Sequence, residues 1–353
     1  MLSVRHSELM SMPDHSRNFQ VLPSQNNLES PEPPLEETYK ALINSKSISV
    51  EDMAIESAEE CELPLIDLSM LKLGGSESEE CKAQIARASQ EWGFFQVINH
   101  GISNEILENM RREQVDIFKK PFHEKENMCF PAGTYRWGSL SATCLRQLSW
   151  SEAFHVPMNN VSGVSDNTGL SPTMKRFATT VSHLAQKLAE ILAEKMGQES
   201  TYFKENCVPS SCYLRMNRYP PCPVPEIPGL MPHTDSDFLT IVHQDQIGGL
   251  QLVKDGKWFA AKPNPDALII NIGDLFQAWS NNVYKSVEHR VVTNKQAERF
   301  STAYFLCPSY ETKIQSCMEP SVYKQFSFRE FRQQVQQDVM NLGYKIGLPR
   351  FVI

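Results

Sequence analysis

Hydrophobic residues change their period along this chain near residue 210. Upstream, apolar positions recur at helical spacing. Ile85, Ala88 and Trp92 form one such stripe, ended by Gly93, and Ser76 with Glu79 reads as its capping box. Ser103 caps a second helix that carries Ile106, Leu107, Met110, Ile117 and Phe118 and stops before Pro121. Ser171-Pro172 opens a long third helix, with Phe177, Val181, Leu184, Leu188 and Leu192 on its apolar face and Gly197 at its end. Two apolar runs read as strands, 63–68 ahead of the first helix and 94–98 after it. Residues 134–157 are aromatic and polar and read as a loop leading into a strand, either the border of a pocket or cover for the core.

From Ser211 onward the pattern turns to short strands. Residues 212–219 place Tyr213, Arg215, Asn217 and Tyr219 on one face and Leu214 and Met216 on the other. The run Pro220-Pro221-Cys222-Pro223-Val224-Pro225 halts that strand. Further strands follow: one holding His233 and Asp235, then 238–242, a hairpin turning on Asp255-Gly256, 267–272, 286–292 and 300–306, with Gly273-Asp274 as a turn. Ser327 and Glu330 cap a last helix through Phe331, Val335 and Val339, ending at Gly343. The expected class is mainly β with flanking helices, closed as a barrel or jelly roll. No internal repeat is present. Residues 1 to 33 are rich in Ser, Asn and Pro and read as disordered, residues 35–44 as a short helix, and the acidic stretch 51–62 as a solvated linker.

Composition narrows the function classes. The 353 residues carry 34 Lys and Arg against 42 Asp and Glu, a net charge of −8, with 41% hydrophobic and 22% charged residues. Those values describe an ordinary globular protein. No segment concentrates Lys or Arg, so nucleic acid and membrane surfaces are not expected partners, although a single buried Arg suffices for an anionic small molecule. Nine scattered cysteines without a C-x-x-C point to reduced thiols and away from zinc or redox motifs. No apolar run reaches the ~20 residues that span a bilayer, and the first twenty residues lack the apolar core of a signal peptide. A cytoplasmic protein is expected, with the nucleus left open.

The candidate chemistry is carried by His233-Thr234-Asp235 and by His289. Read as extended strand, His233 and Asp235 share a face, and a third ligand from a distant strand makes two imidazoles and one carboxylate on one side of a metal. That facial set suits non-haem Fe(II), because it leaves the opposite positions open for a co-substrate and O₂. Arg299 and Ser301 also stand at i and i+2, and a guanidinium beside a hydroxyl suits a carboxylate. An isolated H-x-D is weak; its conjunction with the distal His, the R-x-S and Asn217-x-Tyr219 is the signal. Asp237 at i+4, His100, His155, His243 and Cys222 read as structural residues.

Several stretches resemble the plant 2-oxoglutarate and Fe(II)-dependent dioxygenases: 92–101 (WGFFQVINHG), 217–222 (NRYPPC), His233-Thr234-Asp235, His289-Arg290-Val291 and Arg299-Phe300-Ser301. The likeness covers roughly residues 60 to 350. Residues 136–138, 149–155 and 231–240 are similar to the gibberellin 2-oxidases that act on twenty-carbon gibberellins, with Leu140 standing where that subgroup often has Pro. The resemblance implies a double-stranded β-helix (jelly-roll) core of the isopenicillin N synthase-like type. It implies a division into a disordered segment and linker (1–60), an N-terminal region of helices and strands (61–207), the Fe(II)/2-oxoglutarate jelly roll (208–310) and a C-terminal helical segment (311–353). It also implies hydroxylation of gibberellin at carbon 2 on the β face, with 2-oxoglutarate oxidised to succinate and CO₂. His233, Asp235 and His289 would hold Fe(II), with ascorbate as reductant; Arg299, Ser301, Tyr219 and Asn217 would bind the co-substrate; gibberellin and O₂ are the small-molecule partners, and the oligomeric state is open. Competing readings are a sibling dioxygenase acting on another gibberellin step or on a flavonoid, a non-catalytic hormone-binding module, and a zinc hydrolase. The last has no need of Arg299 and Ser301.

Overall fold

The computed structural model describes residues 29–44, 58–128, 135–139, 142–158, 170–209, 211–224 and 227–353. Helix α1 (Leu35–Asn44) precedes strands β1 (Glu59–Cys61) and β2 (Leu65–Asp67), and α2 (Gly75–Glu91) leads into β3 (Phe94–Ile98). Helices α3 (Asn104–Phe118) and α4 (Phe122–Glu126) run to β4 (Tyr135–Trp137) and β5 (Glu152–Pro157), followed by α5 (Pro172–Lys195) and α6 (Thr201–Asn206). Then come β6 (Tyr213–Tyr219), β7 (Pro228–His233), β8 (Leu239–Gln244), β9 (Leu250–Lys254), β10 (Lys257–Ala261) and β11 (Leu268–Ile272). After helix α7 (Asp274–Trp279), β12 (His289–Val292) and β13 (Arg299–Leu306) complete the core, and α8 (Phe328–Leu342) lies near the C-terminus.

The strands form two main sheets, ordered β2-β3-β11-β8-β13-β6-β5-β4 and β1-β10-β9-β12-β7. Strands β6 to β13 divide four and four between them, which is the expected jelly roll. The larger sheet has two different faces because its strands alternate. Leu214, Met216, Ile241, Ile270 and Tyr304 point outward into the main core, where they meet Val181, Leu184 and Leu188 of α5. Each such side chain contributes about 1.5–3 kcal/mol by leaving water. The Tyr304 hydroxyl donates to Ser182 Oγ at 3.0 Å, pinning α5 to the sheet.

The other face looks toward the smaller sheet, and cross-strand register orders it in rows. Ala153, Asn217, Ser301 and Gln244 stand in one row, His155, Arg215, Ala303 and Val242 in the next, and Tyr213, Phe305, Thr240 and Asn271 in a third. Leu63, Phe94, Leu250, Leu252 and Ile269 fill part of the space between the sheets.

Helix ends follow the sequence in most places. Ser103 and Ser171 accept from the amides of Ile106 and Met174, Ser327 and Glu330 form both halves of a capping box, and Gly343 closes α8 with φ 80°. Asp255 and Gly256 both have positive φ, as the tight β9–β10 turn requires. Four expectations need correction. Ser76 does not cap α2; the N-cap is Gly74, and the Ser76 hydroxyl donates to Glu77 inside the first turn. Gly273-Asp274 is not a simple turn but the start of α7. The acidic linker ends in a strand, because Glu59, Glu60 and Cys61 pair parallel to Phe259, Ala260 and Ala261.

The fourth correction concerns the segment 1–60, which is not uniformly disordered. Leu35 and Tyr39 of α1 are buried against Leu148, Trp150 and Ile227, and the Tyr39 hydroxyl donates to the Ser149 carbonyl at 3.2 Å. Just ahead of α1, Glu32 pairs with Arg218 at 2.6 Å and the Pro31 carbonyl accepts from Lys125 Nζ at 2.6 Å. The expected boundary near 207 also crosses a continuous sheet, since β2 to β5 extend the strands of the jelly roll. Residues 1–28 and Leu140, for which disorder and an altered loop shape were expected, lie outside the described residues.

Candidate active site

Three side chains meet at one end of the space between the sheets. His233 ends β7 and His289 begins β12, and the two are cross-strand partners, so their rings come to 4.3 Å between centroids. Asp235 lies beyond the strand rather than within it, which corrects the extended reading of His-x-Asp. The turn after His233 still delivers its carboxylate, with Oδ1 3.6 Å from His233 Nε2 and 3.7 Å from His289 Nε2. All three ligand-type atoms lie within 4.8 Å of one another.

The surroundings hold each atom in the form a metal needs. His233 Nδ1 donates to the Met231 carbonyl at 2.8 Å and His289 Nδ1 to the Val287 carbonyl at 3.1 Å, which turns both Nε2 atoms toward Asp235. Burial pushes His233 down to about 3, so its ring is neutral at physiological pH. Burial alone would raise Asp235, but the two imidazoles and the hydrogen bonds from Thr240 and Asn271 hold it at about 2. Thr240 Oγ1 and Asn271 Nδ2 both donate to Oδ2, at 2.6 and 2.7 Å, leaving Oδ1 to face the imidazoles. Two imidazole nitrogens and one anionic carboxylate oxygen on one side fit a divalent iron. Phe94 meets His289 edge-on at 5.2 Å.

A second layer ties the two ligand loops together. Asp274, at the start of α7, accepts from Ser286 Oγ at 2.7 Å and from Thr234 Oγ1 at 3.2 Å. Lys345, beyond α8, pairs with Asp274 at 2.7 Å and donates to the Thr234 carbonyl and Ser236 Oγ, each at 2.8 Å. Neither Asp274 nor Lys345 was singled out from the sequence; no local pattern marks residues that meet from so far apart.

The expected co-substrate residues also come together. Arg299 stands opposite Tyr219 and Ser301 opposite Asn217 across the β13–β6 pairing. The guanidinium lies 4.9 Å from the centre of the Tyr219 ring, donates to Gln244 Oε1 at 2.7 Å and reaches Ser301 Oγ at 3.3 Å. Asn217 Nδ2 approaches Ser301 Oγ at 3.5 Å. Arg299 is 3% exposed, and its Nε, like the Nε2 of Gln244, is a buried donor without a protein acceptor. Two unmatched donors around a buried cation suit an incoming carboxylate. Gln244 is a member that sequence reasoning missed. It shares a face of β8 with Thr240, four residues away, about 13 Å by strand rise. Gly229 makes room for Tyr219, because a Cβ there would sit 2.6 Å from the ring.

The residues read as structural stay apart from the trio. Asp237 is fully buried, with its Oδ2 3.1 Å from Thr240 Oγ1; burial and the nearby Asp235 charge push its carboxyl well above the usual range. His100 Nδ1 accepts from the Ile102 amide, and Cys222 Sγ lies 3.1 Å from the Val224 carbonyl. No helix of the described residues is long and apolar enough to cross a membrane.

Comparison with known proteins agrees with this geometry. Residues 210–308 match the 2OG-Fe(II) oxygenase superfamily, and residues 63–171 match the N-terminal region of non-haem dioxygenases in morphine synthesis. Gibberellin 2-beta-dioxygenase 8 of Arabidopsis thaliana is 61% identical over 333 residues, covering 91% of this chain and 98% of that protein. Gibberellin 2-beta-dioxygenase 6 of Oryza sativa subsp. japonica is 47% identical, covering 91% and 96%. Among solved structures, JOX2 in complex with 2OG, Fe and JA superposes with a TM-score of 0.68 at 30% identity, covering 86% of this chain and 94% of that one. The chain belongs to the 2-oxoglutarate- and Fe(II)-dependent oxygenases, in the family of the gibberellin 2-beta-dioxygenases.

Proposed function

We propose that this protein hydroxylates gibberellin at carbon 2 on the β face, inactivating the hormone or its precursor, while 2-oxoglutarate is converted to succinate and CO₂. The observation that carries the reaction class is the convergence of His233 Nε2, His289 Nε2 and Asp235 Oδ1, with each remaining ring nitrogen and carboxylate oxygen already engaged. The substrate rests on the relatives that match nearly the whole chain.

In this reading His233, Asp235 and His289 hold Fe(II), which when bound activates O₂ against the 2-oxo acid so that hydrogen is removed from the substrate carbon. The chain's own residues do the rest. Arg299 and Ser301 take the distal carboxylate of 2-oxoglutarate, with Gln244 and Asn217 completing the polar wall and Tyr219 supplying the ring against the guanidinium. Thr240 and Asn271 keep the Asp235 carboxylate oriented. We assign the enzyme to the cytoplasm on its scattered, motif-free cysteines.

The test is mass spectrometry of products after incubation with twenty- and nineteen-carbon gibberellins, Fe(II), ascorbate and 2-oxoglutarate. A product hydroxylated at carbon 2 is expected. If neither class yields one while succinate still forms, the substrate assignment fails and the reaction class survives. If no succinate forms under any condition, the reaction class fails as well.

A further inference from the structure

Helix α3 turns a mostly apolar face to the sheet, and one polar side chain interrupts it. Leu107, Met110, Gln114 and Phe118 are its buried residues. An amide buried among apolar side chains is costly unless its hydrogen bonds are made. Gln114 makes them at one particular place. Its Nε2 donates to the Asn217 carbonyl at 3.0 Å and to the Ser301 carbonyl at 2.9 Å. Asn217 and Ser301 are cross-strand partners, so one nitrogen ties β6 to β13. Thr302 Oγ1 donates to Gln114 Oε1 at 3.0 Å. Carbonyls only accept, so the two carbonyls and this hydroxyl together fix which end of the amide faces the strands.

The pair tied in this way is the one whose side chains face the co-substrate. Side chains alternate along a strand, so Thr302 points to α3 and Ser301 to the opposite face. There Ser301 Oγ lies 3.3 Å from an Arg299 nitrogen and 3.5 Å from Asn217 Nδ2. Contacts of that length hold the two side chains weakly, so the backbone beneath them sets their position. A second hold lies one residue along the strand. Asp245, next after Gln244, accepts from the Phe300 amide at 2.5 Å, and its own amide donates to the Phe300 carbonyl at 3.1 Å. Arg111, on the preceding turn of α3, approaches the same carboxylate at 3.8 Å, but it is exposed and its pull is weak. Gln114 is buried and is the stronger tie.

We propose that Gln114 is a positioning residue for 2-oxoglutarate. By holding Asn217 and Ser301 at a fixed separation from behind the sheet, it sets where the polar wall receives the distal carboxylate, and so how long a 2-oxo acid the pocket accepts. Gln114 itself touches no ligand. The role rests on the reading of Arg299, Ser301 and Asn217 as the co-substrate pocket.

Gln114→Met keeps the length of the side chain and removes the amide. Anaerobic calorimetric titration of 2-oxoglutarate into the Fe(II)-loaded protein is expected to show binding weaker by about three- to tenfold, with Fe(II) affinity unchanged. KM for 2-oxoglutarate is expected to rise by the same factor while kcat stays close to that of the unaltered enzyme. The preference in kcat/KM for 2-oxoglutarate over 2-oxoadipate, which is one methylene longer, is expected to shrink. A merely structural amide would lower the urea midpoint and leave that preference where it is. Should Gln114→Met fail to fold, Thr302→Val removes the hydroxyl that orients the amide and is expected to shift both quantities in the same direction, with Thr302→Ser restoring them. Arg299→Ala is the control for the pocket. Affinity and preference unchanged in the Gln114 and Thr302 variants, with affinity lost in Arg299→Ala, would overturn the positioning role and leave the pocket standing. Affinity unchanged in Arg299→Ala as well would overturn the pocket reading, and the role of Gln114 with it.

Discussion

Asp235 shows how much of the site is decided by single atoms. Its Oδ2 is saturated by Thr240 and Asn271, so the charge on Oδ1 stays aimed between the two imidazoles. Asn271→Ala is expected to weaken Fe(II) binding by about 10- to 100-fold, read by metal titration of the purified protein, while the fold persists. His233→Ala is expected to abolish turnover; an active variant would remove the iron assignment. Arg299→Ala removes the charge that faces the co-substrate, so its main effect is expected on KM for 2-oxoglutarate, raised about tenfold or more, with metal affinity unchanged. The ligand residues were legible because histidine is scarce, with nine in the chain, and one of them stands two positions from an acid. Thr240, Asn271 and Gln244 were not, because their roles come from facing positions on neighbouring strands, and a single chain read in order does not state its register.

At the scale of elements, the alternation of β6 was legible and carries the site. It sends Leu214 and Met216 to the core and Tyr213, Arg215, Asn217 and Tyr219 to the cavity. Local chemistry at helix ends was also readable where a side chain satisfies the first turn, as at Ser103, Ser171 and Ser327. It misled at Ser76, where the chain takes a Gly74 cap with φ 72° instead. Ser327→Ala is expected to cost about 1 kcal/mol, seen as a lower urea midpoint, because the hydroxyl that accepts from the Glu330 amide is lost while the Ser327 amide keeps the Glu330 carboxylate. The parallel pairing of β1 was invisible, since Glu59-Glu60-Cys61 has no strand pattern and is held by its partner's edge.

Across the whole molecule, charges buried far from the iron bind the N-terminal arm to the sheet. Glu152 is 1% exposed and receives both Lys125 and Arg218, while Arg218 also pairs with Glu32 and Glu298. Glu152→Gln would leave the buried Lys125 without its carboxylate partner, while Arg218 keeps Glu32 and Glu298, with an expected loss of about 3–5 kcal/mol in chemical denaturation. Acid is expected to act through neutral histidines. Burial lowers His155 to about 3 and His243 to about 4, against 6.5 for an unfolded imidazole. The unfolded chain therefore binds more protons between these values, so stability is complete above about 6.5 and falls as pH drops toward 4. A urea midpoint independent of pH between 7 and 4.5 would refute that expectation.

Lys345 closes the account from the far end of the chain. Because this lysine grips the turn between His233 and Asp235, the iron-binding turn is completed by a residue 111 positions downstream of Thr234. A ribosome-bound or truncated chain ending before position 345 is expected to capture metal more weakly than the released one, a difference that equilibrium dialysis of the two lengths would reveal. Synthesis itself would then order the events: the segment carrying Lys345 first, iron loading second.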